Sequence, residues 1–184
     1  MAGLNYDVLV CAESKVSDRH HLSVLCIPGF GCPQLRLTDC TPGAQGMALY
    51  VREGFHSFRQ SKLECSCHES CVFRICSRIN NFHVYAFYWN PGHDGSLYCC
   101  PLDSMAWVQS VDDKAVSVFV GDAITHHSEW LSQSLLLIDV GLMLLIFVMS
   151  GCEQLARGPT HIAGNRLDRV MTDVPDIVDV VVGT

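Results

Sequence analysis

The chain has 184 residues, 49% of them hydrophobic, so its length fits one domain with a sizeable core. Its formal net charge of -7 argues against strong autonomous binding to nucleic acid, because proteins that grip phosphates usually present a basic face. The acidic balance does not exclude a metal-dependent nuclease, since clustered carboxylates bind Mg²⁺.

Short apolar runs bounded by polar, Gly or Pro turns predict a chain of β-strands with a few helices. In chain order, the predicted strands cover residues 6–11, 46–51, 72–76, 82–88 and 115–120. The last run is continuously apolar, which is typical of a strand buried on both faces. A helix is predicted over residues 97–109, just before that strand, because Leu97, Leu102 and Met105 can share one side of it.

The eleven cysteines predict reduced thiols in a nuclear or cytoplasmic setting, because their number is odd and no apolar N-terminal segment indicates a signal peptide. A zinc site is one interpretation of Cys65, Cys67, His68, Cys71 and Cys76. The run lacks the paired Cys-x-x-Cys spacing of zinc knuckles and falls in a stretch with strand character. Buried or incidental cysteines are therefore the favoured interpretation.

Residues 135–149 are almost entirely apolar and admit several interpretations. A membrane-spanning helix needs about 20 such residues. This segment is shorter and contains Asp139, which disfavours a membrane anchor. A buried helix is the second interpretation, and a third depends on the family resemblance described below.

Polar residues follow or begin several predicted strands in a definite order. Glu13 follows the first strand, Tyr88 ends a later one, and Asp122 follows Gly121 after the buried run. Asp168 precedes a further apolar stretch near the end of the chain. Loops at the ends of strands commonly carry binding and catalytic groups on a rigid scaffold, so these residues are candidates for a functional site.

The order of these motifs resembles the endonuclease/exonuclease/phosphatase superfamily, and within it the LINE-type (non-LTR) retrotransposon endonucleases. The resemblance covers nearly the whole chain apart from about residues 132–150, and the stretches 65–74 and 159–168 are similar to the retrotransposon branch. It implies an α+β fold, a four-layer α/β-sandwich of the DNase I-like type. The chain would form a single domain over residues 1–184 that is incomplete at both ends.

The resemblance also implies roles for the four polar residues. Glu13 would bind Mg²⁺ (or Mn²⁺), and the Tyr88 hydroxyl would donate to the scissile phosphate. Asp122 would orient or deprotonate the attacking water, and Asp168 would orient a catalytic histidine. Taken singly, each residue also has an ordinary structural explanation: a solvated turn acid for Glu13 or Asp122, and a core aromatic for Tyr88.

Three departures from the family pattern predict weak turnover or none. The opening strand with its metal-binding Asn is not found, because the context of Asn5 does not match it. Ile124 replaces the phosphate-contacting Asn of the Gly-Asp-x-Asn motif, and loss of one such donor costs about 10²–10³ in rate. The chain reaches Thr184 before the family's Ser-Asp-His element, which leaves Asp168 no histidine to orient.

The apolar segment is explained by a frameshift hypothesis. Codons for residues 143–149, read one base out of register, can encode Asp-Ala-Leu-Asp-Phe-Cys-Asn, a polar pattern similar to that of the family after the Gly-Asp motif. Sequence similar to the family resumes at Gly151. Residues 132–150 are then an aberrant segment inside the domain.

These observations leave three classes of function. The first is a Mg²⁺-dependent endonuclease, a phosphodiester hydrolase that would nick DNA, with weak activity or none. The second is a non-catalytic remnant or binding module on the same scaffold, favoured by Ile124. The third is a membrane-associated protein anchored by residues 135–149. The fold alone cannot choose between nucleic acid and another phosphodiester substrate.

Overall fold

Two β-sheets form the frame of the computed structural model, which describes residues 6–12, 14–36, 46–64, 69–89, 99–123, 147–156 and 168–180. Within these ranges there are nine strands, the α-helix Cys99–Val111, a helical stretch over residues 147–149, and three short 3₁₀ helices, at Leu22–Leu25, Ser61–Leu63 and Pro175–Ile177.

The smaller sheet has three strands, in the order β1-β3-β2, all antiparallel. They are β1 (Val8–Cys11), β2 (Gln34–Arg36) and β3 (Met47–Val51). Every residue of β3 is buried, as expected for the central strand of a sheet covered on both faces.

The larger sheet has six strands in the order β4-β5-β6-β7-β9-β8. The strands are β4 (His56–Arg59), β5 (Glu69–Cys76), β6 (Asn81–Trp89), β7 (Ala115–Ala123), β8 (Glu153–Gln154) and β9 (Asp168–Thr172). Only the pair β6-β7 is parallel among these strands. A parallel pair needs a crossover connection, and helix α1 (Cys99–Val111) lies on it.

The main core lies between the two sheets, because alternate residues of each strand point to the same face. The buried apolar residues of this core come from β3, β5, β6, β7 and β9, together with Ala156: Met47, Leu49, Val51, Cys71, Phe73, Ile75, Val84, Ala86, Tyr88, Val116, Val118 and Val170.

A second core covers the outer face of the larger sheet, where α1 packs. Met105 and Val108 are the buried apolar residues among the helix side chains that the structure describes, from Asp103 onward. Tyr85 stacks on Phe119 with ring centroids 4.6 Å apart, and Phe147 meets the same ring edge-on at 4.6 Å. Aromatic pairs in these geometries add to the stability gained by burial alone.

Phe147 belongs to the apolar segment that the sequence left with several interpretations. Residues 124–146 lie outside the described part of the chain, but Phe147 is 3% exposed, while Val148 and Met149 are exposed. One residue of the segment therefore fills the core. Of the helices that the structure describes, none is long and apolar enough to cross a membrane. The frameshift hypothesis stays a prediction.

The predicted elements agree with the observed ones apart from their limits. The helix covers Cys99–Val111 instead of residues 97–109. β5 begins at Glu69, three residues before the predicted strand, and β7 continues through Asp122 to Ala123. β2, β4 and β8 were not predicted, and β9 was predicted only as an apolar stretch after Asp168.

Candidate functional site

Three of the four predicted site residues occupy neighbouring positions in the larger sheet. The Cα of Tyr88 in β6 pairs with that of Asp122 in β7, and Asp122 pairs in turn with Asp168 in β9. Adjacent strands are about 4.8 Å apart, so these three backbone positions form a row about 10 Å long. We call this the catalytic row. Residues separated by 80 positions in sequence are thus brought together at one edge of the sheet.

Glu69 extends the catalytic row by one strand, and sequence reasoning did not single it out. Its Cα pairs with that of Tyr88 across β5 and β6. It is 9% exposed, and it shares a strand face with Cys71 and Phe73, which pack in the core between the sheets. In the sequence Glu69 is only an acid just before an apolar strand, and no linear pattern shows that it is buried.

The smaller sheet approaches the catalytic row through Gly46, which precedes β3. The amide of Gly46 donates to Glu69 Oε1 at 2.7 Å, and the carbonyl of Gly46 accepts from the amide of Ser14 at 2.9 Å. Glu13, the predicted metal ligand, lies outside the described residues, but its neighbour Ser14 is thereby tied to Gly46. These two hydrogen bonds connect the end of β1 to the row.

A backbone conformation typical of functional sites occurs two residues after Glu13. Lys15 has a φ of 56°, and it is the single non-glycine residue with positive φ among the described residues. The left-handed region costs an L-residue free energy and persists only where the surroundings impose it. The backbone at Lys15 is therefore held in a strained conformation.

Gly121 allows β6 and β7 to approach each other closely next to the catalytic row. A Cβ placed on Gly121 would lie 2.1 Å from the carbonyl oxygen of Phe87 and 2.7 Å from its ring. Real Cβ atoms do not come that close to a backbone oxygen. Packing therefore explains the glycine of the Gly-Asp motif. The absence of a side chain leaves room for Phe87 and lets β7 place Asp122 opposite Tyr88.

A second polar cluster lies at the opposite end of β6 and β7, on the face that α1 covers. Asp112 follows the helix, and its carboxylate accepts from Asn81 Nδ2 at 2.8 Å and from the Lys114 amide at 3.1 Å. Arg74 Nη2 lies 3.3 Å from Asp112 Oδ2, and His83 Nε2 lies 3.8 Å from it.

The titration properties of this cluster favour a structural role. Burial first, then the Arg74 guanidinium, lower the pKa of His83. Burial alone would raise the pKa of Asp112, but hydrogen bonds from Lys114 and Asn81, together with Arg74, lower it. His83 is 5% exposed, and its ring nitrogens have no hydrogen-bond partner within the described part of the chain. A neutral buried histidine and an ionised aspartate result.

The acids of the catalytic row fit a divalent cation by chemistry, because hard cations take carboxylate oxygens. Among the described side chains, no group of three or more His, Cys, Asp or Glu residues is arranged to hold a metal ion. That search does not include Glu13, which the family resemblance names as the ligand. The metal therefore stays a prediction.

The structure favours packing over zinc for the described part of the cysteine run. Cys65, Cys67 and His68 lie outside the described residues. Cys71 is fully buried, and burial raises the pKa of its thiol to about 12. Zinc binds the thiolate, whose formation such burial opposes. Cys71 is thus a core residue.

A groove of about 450 Å³ lies between the smaller sheet and β4, away from the catalytic row. It is lined by residues 31, 32, 34 and 51–58, and Glu53 is its one acid among the lining residues that the structure describes. A lone acid offers no pair for metal binding or for acid and base catalysis, so the candidate site is the catalytic row.

Comparison with known proteins assigns the fold. The endonuclease domain of TRAS1, a telomere-specific non-LTR retrotransposon, superposes with a TM-score of 0.55 at 17% identity, covering 76% of this chain and 64% of that domain. The human Nocturnin catalytic domain superposes with a TM-score of 0.62 at 13% identity, covering 91% of this chain and 69% of that one. The fold is DNase I-like. It is an α+β sandwich of the same type as these two domains, as the motif order predicted.

No family model matches the chain, and no curated protein is similar to it in sequence. The likeness therefore rests on structure. The chain spans less than two thirds of the TRAS1 endonuclease domain. At this level of identity the superpositions support a nuclease-like scaffold, and the roles of Glu13, Tyr88, Asp122 and Asp168 stay predictions.

Proposed function

We propose that the chain is a divalent-metal-dependent phosphodiesterase-like domain that nicks DNA with low turnover. The observation that carries this proposal is the catalytic row, which pairs Tyr88 with Asp122 and Asp122 with Asp168. The order of motifs in the sequence predicts the same three residues as parts of one site. Their meeting at one edge of a DNase I-like sheet supports a common site.

The proposed chemistry is hydrolysis of a phosphodiester bond, in which a water oxygen attacks phosphorus and the sugar oxygen departs. Asp122 orients this water or takes its proton. The Tyr88 hydroxyl donates to a phosphate oxygen as charge builds up there. Asp168, whose Cα pairs with that of Asp122, acts by positioning other groups of the site and does not contact the phosphate.

Glu13 is the proposed metal ligand, through its carboxylate. A bound Mg²⁺ or Mn²⁺ neutralises charge on the phosphate and on the leaving oxygen. Low turnover is expected because Ile124, which lies outside the described residues, offers no hydrogen bond where the family has Asn.

DNA is the proposed substrate, for two reasons. The stretches 65–74 and 159–168 resemble the retrotransposon branch, and one solved structure with the same fold is a retrotransposon endonuclease domain. The net charge of -7 makes the affinity for DNA weak. An intracellular location accompanies this proposal, and it is supported by the free thiols of Cys71 and Cys152.

A non-catalytic remnant on the same scaffold is the second candidate, and the burial of Tyr88 favours it. Tyr88 is 7% exposed and belongs to the core between the sheets, so packing also explains its position. The two candidates differ in one observable, which is metal-dependent cleavage by the intact chain.

Nicking of supercoiled plasmid separates them. The chain with Mg²⁺ or Mn²⁺ is expected to convert supercoiled plasmid slowly to the open circle, and chelation of the metal by EDTA should stop the conversion. Glu13→Ala should lower the rate at least about a hundredfold, because a catalytic metal contributes several kcal/mol to transition-state stabilisation.

The matched control is Glu53→Ala, which removes an exposed acid from a surface turn. It should leave the nicking rate unchanged. Equal rates for the chain and Glu13→Ala, or no nicking by either, would exclude the catalytic function and leave the remnant.

A further inference from the structure

Glu69 has no role in the chemistry proposed above, although it occupies the position beside Tyr88 in the catalytic row. We propose that Glu69 is a positioning residue that holds the backbone next to Glu13 against the row. This inference rests on the proposed function, because it gives Glu69 a part in placing the predicted metal ligand.

The connection runs through two hydrogen bonds. Glu69 Oε1 accepts from the Gly46 amide at 2.7 Å, and the Gly46 carbonyl accepts from the Ser14 amide at 2.9 Å. Ser14 is the residue after Glu13. A carboxylate on the larger sheet thus binds Gly46 through its amide, and Gly46 binds Ser14, the residue after Glu13, through its carbonyl.

Gly46 is suited to this link because its backbone needs an external restraint. Its φ is 78°, in the left-handed region that glycine enters freely. A glycine in a turn has many accessible conformations, so the position of its carbonyl depends on what its amide binds. The buried Glu69 carboxylate provides a charge-assisted hydrogen bond, which is stronger than a neutral one.

A second contact holds the two sheets together at the next residue of β5. The guanidinium of Arg36 in β2 donates from Nη1 to the carbonyl oxygen of Ser70. Both Arg36 and Ser70 are buried. The first two residues of β5 therefore bind the smaller sheet directly at this edge, one through its side chain and one through its backbone.

The side-chain oxygen that contacts Gly46 allows the positioning role to be separated from direct metal binding. In Glu69→Gln the amide oxygen can still accept from Gly46, while the negative charge is lost. In Glu69→Ala both the acceptor and the charge are lost. A positioning residue is rescued by Gln, whereas a charged metal ligand is not.

The experiment compares the full chain with Glu69→Gln and Glu69→Ala in two measurements. Amide hydrogen exchange by NMR follows Gly46 and Ser14, and isothermal titration calorimetry follows the binding of Mn²⁺ alone. Glu69→Ala should speed the exchange of both amides about ten- to a hundredfold and weaken Mn²⁺ binding by a similar factor. Glu69→Gln should keep both quantities within about threefold of the parent chain.

Glu64→Ala is the matched control, because Glu64 is another carboxylate, partly buried, that accepts from a backbone amide. Its described partners are Arg59, at 2.7 Å, and the amide of Val72, at 3.3 Å. Its loss should lower the overall stability. It should leave Mn²⁺ affinity unchanged, and the exchange of the Gly46 and Ser14 amides should change only as far as global unfolding does.

Two results would overturn the proposal: unchanged exchange of both amides in Glu69→Ala, or equal loss of Mn²⁺ binding in Glu69→Gln and Glu69→Ala. The second result would make Glu69 a metal ligand. If the parent chain binds no Mn²⁺, the proposed function fails by itself. The exchange of the Gly46 and Ser14 amides then still decides whether Glu69 positions this turn.

Discussion

Gly121 has no room for a side chain, because the backbone and the ring of Phe87 lie next to it. In Gly121→Ala the new methyl group would lie 2.1 Å from the carbonyl oxygen of Phe87 in the paired strand. A backbone atom inside a sheet cannot move away without breaking strand pairing. We expect the free energy of unfolding to fall by about 1–3 kcal/mol, measured by urea denaturation.

Gly31→Ala is the matched control for this substitution. A Cβ on Gly31 would meet the carbonyl oxygen of Val51 at 3.6 Å, which is an ordinary contact. The exposed position should tolerate alanine within about 0.5 kcal/mol. Equal stability of the Gly121 and Gly31 variants would show that β6 and β7 can separate at Gly121 without cost.

Residues of the candidate site differ in how well sequence could identify them. Tyr88, Asp122 and Asp168 each belong to a sequence motif, so the order of the motifs along the chain predicts them as one set. Glu69 has no motif. Its importance comes from a pairing with Tyr88 and from a hydrogen bond with Gly46, and neither is visible in a linear pattern.

Helix α1 is attached to the larger sheet by Asp112, which follows its last turn. The amide of Asp112 donates to the carbonyl of Val108, and its carboxylate accepts from Asn81 and pairs with Arg74. In Asp112→Ala these donors lose their partner inside the protein. The expected loss of stability is about 0.5–1.5 kcal/mol, because both donors are only partly buried and water can satisfy part of their hydrogen bonding. Thermal or urea unfolding measures it.

Asp113 offers a control for this prediction at the adjacent position. It carries the same charge and is exposed. Asp113→Ala should change stability by less than about 0.5 kcal/mol, as is usual at the surface. If both alanine variants lost the same stability, the loss would come from a general effect of charge near the end of α1 and not from the specific contacts of Asp112.

The elements that sequence missed share a physical cause. β2 (Gln34–Arg36), β4 (His56–Arg59) and β8 (Glu153–Gln154) are two to four residues long and lie at sheet edges. Edge strands are often short and polar, because exposed apolar edges promote aggregation. Their alternation is too brief to recognise. The buried run of β7 was predicted because a strand covered on both faces is apolar throughout.

In the whole molecule, the candidate site depends on how the smaller sheet packs against the larger one. The order of motifs was sufficient to predict a DNase I-like fold, since that order reflects a chain path shared by the superfamily. The contact between Gly46 and Glu69 depends on how the two sheets pack against each other, so no sequence pattern predicts it. Any site at this edge therefore requires that the two sheets stay packed against each other.

Acid should weaken the whole fold through His83. Burial first, then Arg74, lower the pKa of His83, outweighing the opposite influence of the carboxylates of Asp112 and Asp173. Unfolded chains bind a proton at an ordinary histidine pKa of about 6.5, whereas the folded chain does not. Stability is therefore complete above that pH, and it falls as the pH drops towards the lowered value of the folded state, by at most about 1.4 kcal/mol per unit.

His83→Gln tests this origin of the acid sensitivity. Urea unfolding at pH 7.5 and at pH 5.5 gives the loss of stability for each protein, so a constant effect of the substitution on packing cancels. The variant should lose less stability between the two values than the parent chain. His56→Gln, at an exposed histidine of the edge strand β4, should keep the loss of the parent. An unchanged loss in His83→Gln would place the acid-sensitive group elsewhere in the chain.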